Sequence, residues 1–285
     1  VSFPRTGADL DYARELAVAA GSNAKICAKV ERAETVASEA AIDDIILASD
    51  AVMVARGDLG VEIGDAELVG VQKKLIARSR QLNRVVITAT QMMESMIDSL
   101  TPSRAEVNDV ANSVMDGADA VMLSGETSVG KYPVEVVETM GKIINGVENS
   151  PLIRVPNTLP EIKSKRVITK AVCFHACNIA NELSASAICT LTNSGYTAWQ
   201  ISSWRPSAMI LVFTSNKRIL SQLCLLWGVK CIYYDNFVST DKTVEEVNRL
   251  ALEKGFVKKN SLVVNLAAMP VKDRGQVNTL RISRL

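Results

Sequence analysis

A chain of 285 residues that is 48% hydrophobic and 22% charged can bury one large or two medium cores, and 32 basic against 31 acidic residues leave a formal charge of +1. That balance excludes a general attraction to nucleic acid or to an anionic membrane, so any anion site must be local. No apolar run approaches the roughly 18 residues that span a bilayer, the amino end has no basic-then-apolar leader pattern, and the expected compartment is the cytoplasm.

Residues 1–5 read as the end of a strand, because a helix-like pattern over 8–20, stopped at Gly21, follows at once. The chain is therefore expected to start inside a fold, and without an initiator methionine it reads as a fragment or a processed piece. From there a short apolar strand, a polar turn and an amphipathic helix repeat. Strands are expected over 25–30, 51–55, 84–89 and 118–123, with helices over 33–47, 66–81 and 104–115. That spacing fits βα units with parallel strands, in a barrel or a doubly wound sheet, and in either case ligands gather outside the carboxyl ends of the strands.

The second of these strands is the one the others organise around. It is apolar until Arg56 and then delivers Arg56, Gly57, Asp58 and Gly60 at its tip. The glycines allow a sharp turn and a close approach to a ligand; Asp58 offers oxygen to a hard cation beside Arg56, a donor for an anion. By itself this is equally an ordinary strand-to-loop turn with a surface ion pair. The other tips add to it: Lys29 and Glu31, two apart on one face of the first strand, Thr90 and Gln91 after the third, Ser124 and Glu126 after the fourth. A hard divalent cation on Glu31 and Asp58 with Lys29 beside it is the arrangement that phosphoryl transfer requires.

The stretches Ala28-Lys29-Val30-Glu31, Met53 to Ile63, Thr88 to Met96 and Asp116 to Thr127 closely resemble pyruvate kinase. The resemblance runs over nearly the whole chain and implies an α/β architecture: the second half of a (β/α)8 TIM barrel over 1–150, then an α/β regulatory domain over 151–285 with a mainly parallel five-stranded sheet. It implies a glycolytic transferase that moves a phosphoryl group from phosphoenolpyruvate to ADP, giving pyruvate and ATP. Lys29 then neutralises the phosphoryl in flight, and Glu31 and Asp58 hold magnesium or manganese. The N–H groups of Gly57 and Asp58, with Arg56 nearby and the Thr90 hydroxyl, cradle the substrate carboxylate. Thr90, Ser124 and Glu126 lie near the path of the proton that converts enolate to pyruvate. The resemblance also implies potassium, bound by residues outside this chain, and a homotetramer, with Arg104 near a subunit contact. The amino-terminal half-barrel, the lid and the nucleotide site have no counterpart here, so the chain alone is expected to be inactive.

A helix from Pro133 to about 147 and a polar, proline-punctuated linker over 149–160 lead to the second domain. There a helix is expected over 168–183 and strands over 187–191, 209–213, 230–234, 262–266 and 279–282. Cys27, Cys173, Cys177, Cys189, Cys224 and Cys231 lie in apolar segments with no Cys-x-x-Cys pair, and His175 is the one histidine, which argues for free thiols and against zinc. Between the first strand and its helix stand Thr192, Asn193, Ser194, Gly195, Tyr196 and Thr197, which read either as a helix cap or as a phosphate cradle.

In the resembling family that loop binds an allosteric sugar phosphate, which points to effector binding at Thr192, Asn193, Ser194, Gly195 and Thr197. Asn193 stands where bisphosphate-regulated members can carry lysine, and the loop over 268–275 is not the glycine-rich version, though Lys272 or Arg274 could meet a second anion. The resemblance, strongest to the bacterial branch of the family, implies instead a monophosphate such as ribose 5-phosphate, or AMP. Two other readings remain from the residues alone: a metal-dependent pyruvate aldolase or lyase, which needs neither Lys29 nor a second domain, and a sugar-phosphate-binding and oligomerisation module.

Overall fold

The computed structural model describes residues 1–148, 166–236, 239–269 and 275–285. The chain divides into two compact units, Val1–Arg154 and Val155–Leu285. The linker expected over 149–160, the boundary expected after residue 150, and Lys272 and Arg274 lie outside the described residues.

The first unit runs α1 (Gly7–Ala19), β1 (Cys27–Val30), α2 (Ala33–Val36), α3 (Glu39–Ala48), β2 (Ala51–Ala55), α4 (Arg56–Ile63), α5 (Asp65–Gln81), β3 (Val85–Ala89), α6 (Arg104–Asp116), β4 (Ala120–Met122), α7 (Gly125–Ser128) and α8 (Pro133–Glu148). Its four strands are parallel in the order β1-β2-β3-β4, with Val30 level with Val54 and Thr88 level with Val121. Alternation along the strands sorts the side chains. Ala28, Val30, Val52, Val54 and Val86 pack beneath Leu10, Ile42, Ile45, Ile46, Leu59, Leu75 and Ile76 of the helices. Each large aliphatic side chain buried there contributes about 1.5–3 kcal/mol. Lys29 and Met53 face the other way and stay half-exposed.

Two expectations change. The helix expected over 33–47 breaks, because the Ser38 hydroxyl accepts the Ala41 N–H and starts α3 afresh. Residues 1–5 are not a strand, although Val1 pairs like one, donating its amino group to Cys27 O (2.8 Å) and accepting the Lys29 N–H (3.0 Å). Phe3 then turns left-handed (φ 51°), and Pro4 has no N–H to continue the ladder.

The second unit comprises α9 (Val167–Glu182), β5 (Ala187–Leu191), α10 (Tyr196–Ser203), β6 (Met209–Thr214), α11 (Lys217–Gln222), β7 (Val229–Tyr233), α12 (Thr240–Glu253), β8 (Leu262–Ala267) and β9 (Thr279–Arg284). The order is β7-β6-β5-β8-β9, parallel except for β9. The chain builds outward from β5 to β7, then returns to the other side of β5. That reversal opens a crevice at the carboxyl ends of β5 and β8, where a doubly wound sheet receives a ligand. Cys173, Cys177 and Cys189 are buried free thiols, and burial pushes Cys173 and Cys189 up to about 12.

Candidate active site

The site of the first unit is built at the carboxyl ends of β1, β2 and β3. Lys29 and Glu31 share a face as their spacing requires, and Lys29 Nζ donates to Glu31 Oε1. Glu31 is fully buried, and its Oε2 accepts the Phe3 N–H at 2.7 Å. Burial pushes its carboxyl up, but hydrogen bonds from Lys29 and the Phe3 N–H, with the Asp58 carboxyl close enough to act on it, hold it below the usual glutamate range. Glu31 is therefore ionised at neutral pH. Asp58 stands exposed in the first turn of α4.

The donor set suits a hard cation. Magnesium keeps several waters and takes one or two protein carboxylates, and each carboxylate oxygen retains a second lone pair beside the hydrogen bond it accepts. Among the described residues no group of three or more His, Cys, Asp or Glu could hold a metal. Glu31 and Asp58 are what this chain brings to such an ion.

Thr90 and Gln91 follow β3 in consecutive left-handed conformations, φ 69° and 53°. That is an outlier for a β-branched residue and persists only where the surroundings impose it. Thr90 Oγ1 donates to Ala89 O (2.6 Å) and accepts the Gly57 N–H (3.0 Å). The structure thus brings together two members of the expected carboxylate cradle, bonded to each other.

Arg56, expected as an anion donor, is only 7% exposed. Its Nη1 meets both Asp109 oxygens, at 2.7 and 2.6 Å, while Nη2 and Nε reach Thr90 O at 2.5 and 3.1 Å. Glu126 is buried and accepts the N–H groups of Met93 (3.2 Å) and Ser124 (2.7 Å), so it ties the loop after β3 to the loop after β4. Ser124 itself is exposed. Asp109 escaped the sequence reading. It lies 53 residues from Arg56, and its only mark is a carboxylate next to Val110 on an amphipathic helix.

In the second unit a pocket of about 340 Å³ lies at the crevice between β5 and β8, lined by Thr192, Asn193, Ser194 and Thr197 and also by Arg166 and Gln276. Gly195, left-handed at φ 80°, caps α10 and donates its N–H to Thr192 Oγ1 at 3.0 Å. Arg166 lies 4.5 Å over the Tyr196 ring. It precedes α9, and nothing in the sequence tied it to this loop.

Two family models match the chain: the pyruvate kinase barrel domain over residues 1–137 and the pyruvate kinase alpha/beta domain over 170–283. A pyruvate kinase of Haemophilus influenzae is 52% identical over 265 residues, covering 93% of this chain and 55% of the relative. One from Buchnera aphidicola subsp. Baizongia pistaciae is 49% identical over the whole chain and 60% of its own length. Pyruvate kinase II of Salmonella typhimurium is 49% identical over 99% of this chain and 59% of the relative. The chain thus spans somewhat more than half the length of the curated relatives it matches.

Proposed function

The chain belongs to the pyruvate kinase family, and from that premise we propose that the protein containing it transfers the phosphoryl group of phosphoenolpyruvate to ADP and protonates the resulting enolate to pyruvate. The observation that carries this reading is the convergence of Lys29, Glu31, Asp58, Gly57 and Thr90 on one rim of a parallel sheet.

Phosphoryl transfer asks for positioning and positive charge rather than covalent help. Lys29 supplies that charge, held in place by its hydrogen bond to the Glu31 carboxylate. Glu31 and Asp58 would hold magnesium or manganese, which when bound neutralises charge on the substrate carboxylate and enol oxygen. Thr90 carries a proton at Oγ1 between Ala89 O and the Gly57 N–H, within reach of whatever occupies the cradle. A substrate carboxylate arriving at the amino end of α4 lies beside the Thr90 hydroxyl, whose proton becomes available when the hydroxyl turns away from Ala89 O. Ser124 and Glu126 support this rim from β4.

Under the same reading the second unit receives an allosteric monophosphate, ribose 5-phosphate or AMP, at Thr192, Ser194 and Thr197. Arg166, the one charged side chain among the described lining residues, favours a ligand of modest charge. The protein works in the cytoplasm as a homotetramer, with potassium bound by residues outside this chain. A pyruvate aldolase would have no use for the second unit. These 285 residues alone form no ATP, because four strands supply only part of the rim.

The deciding experiment is steady-state assay of the full-length protein with phosphoenolpyruvate, ADP and magnesium, alongside Lys29→Met. ATP formation that collapses in the variant supports the reading; a parent that forms none, or a variant at the parental rate, refutes it.

A further inference from the structure

We propose that Asp109 is a positioning residue for this site: through the Arg56 guanidinium it holds Thr90 in its left-handed backbone conformation, so Arg56 serves as a clamp on Thr90 and not as a contact to the substrate anion. The inference rests on the phosphoryl-transfer reading above and adds a residue to it.

A guanidinium has five N–H donors and no acceptor. In Arg56 all three nitrogens are engaged. Nη1 faces both oxygens of the Asp109 carboxylate; Nη2 meets Thr90 O and, at 3.0 Å, Met92 Sδ; Nε is shared between Thr90 O and Ala89 O at 3.3 Å. No nitrogen is left without a protein partner, and the side chain is almost wholly buried.

What the donors hold is the peptide that would otherwise relax. Thr90 and Gln91 are both left-handed without being glycine, a costly pair that needs an external restraint on the Thr90 carbonyl. Arg56 grips that carbonyl with two nitrogens. If it let go, the peptide could turn toward an ordinary conformation and carry Oγ1 off the Gly57 N–H. Arg56 alone would be a buried, half-compensated cation, and Asp109 provides its counter-charge and a charge-assisted contact that anchors Nη1 while Nε and Nη2 face Thr90 O. The carboxylate is itself partly open, with its side chain 33% exposed, and it reaches Arg56 from α6.

A purely structural pin between α6 and β3 would predict loss of stability with no link to Thr90, and a double-mutant cycle in the full-length protein separates the two. Asp109→Asn should lower kcat roughly 10- to 100-fold, the usual penalty of a reacting group displaced by about an ångström, and Asp109→Glu should recover part of it. In a Thr90→Val background Asp109→Asn should cost less than about twofold more, because the group it positions is already gone. Equal losses in both backgrounds, or a parental kcat in Asp109→Asn, would overturn the proposal. Should Asp109→Asn fail to fold, Arg56→Lys keeps the charge opposite Asp109 but lacks the fork; it should lower kcat similarly, and a parental kcat there also defeats the idea. The two failures remain distinguishable. If Lys29→Met is dead and Asp109→Asn fully active, only this inference falls; if the parent forms no ATP, both fall.

Discussion

The Gly57 N–H donates to Thr90 Oγ1 across 3.0 Å, joining the first turn of α4 to the end of β3 although 33 residues separate them. The bond fixes where the hydroxyl sits and leaves it one proton to give, now directed at Ala89 O. Thr90→Val keeps the branched shape and removes only the oxygen. In the full-length protein it should slow enolate protonation about 10²-fold or more, as expected for loss of a positioned acid–base group, while phosphoryl transfer falls less. Exchange of solvent deuterium into pyruvate reads the protonation step alone; exchange at the parental rate would show that the proton travels by another path.

Lys29 carries the positive charge at the rim. Replacing it with methionine keeps the apolar stem and deletes the ammonium. The expected loss is on the order of 3–4 kcal/mol of transition-state stabilisation, by analogy with removing one preorganised electrostatic donor. That corresponds to a fall in kcat of a few hundredfold, together with a lower melting temperature at pH 7, because the buried Glu31 carboxylate loses its cation. Steady-state kinetics with thermal melts checks both halves.

Glu31 gives the site a pH signature. Its carboxyl is buried, which pushes it up, yet Lys29, the Phe3 N–H and the Asp58 carboxyl hold it below the ordinary range. A folded-state value below the unfolded value of about 4.3 means that stability from Glu31 is fully present above that pH and is lost as the pH falls through the folded value. The parent should therefore be more stable than Glu31→Gln at pH 7, and the gap should close under acid conditions. In Lys29→Met the burial contribution is less opposed and the loss should begin at higher pH. Urea unfolding across pH 3–7 tests this; a gap that widens on acidification would contradict the assignment.

Much of this was legible from residue order. Apolar runs such as the one ending at Ala55 predict buried parallel strands, and a reactive group two residues beyond another on a strand predicts a shared face, as for Lys29 and Glu31. What escaped depended on partners remote in sequence or on backbone angle. Arg56 looks like an anion donor until Asp109 is seen to occupy its Nη1 and Thr90 O its other two nitrogens. Threonine and glutamine types do not announce the left-handed turn at Thr90 and Gln91, which tertiary contacts impose. Ser38 breaks a helix because its hydroxyl finds the Ala41 N–H, a local bond that competes with an otherwise continuous pattern.

Gly195 offers the last test, in the second unit. It is left-handed at φ 80°, its N–H is held by Thr192 Oγ1, and an added Cβ would stand 3.0 Å from Leu223 Cδ2. Gly195→Ala should cost about 1–2 kcal/mol from the backbone alone and loosen the loop that lines the pocket, weakening binding of ribose 5-phosphate or AMP. Asparagine adopts this conformation more readily than alanine. If backbone strain dominates, Gly195→Asn should be the milder change in both thermal stability and ligand titration. If contact with Leu223 dominates, the two should be equally harmful, since both introduce the same Cβ. A Gly195→Ala protein that melts and binds like the parent would remove this loop from the account of the effector site.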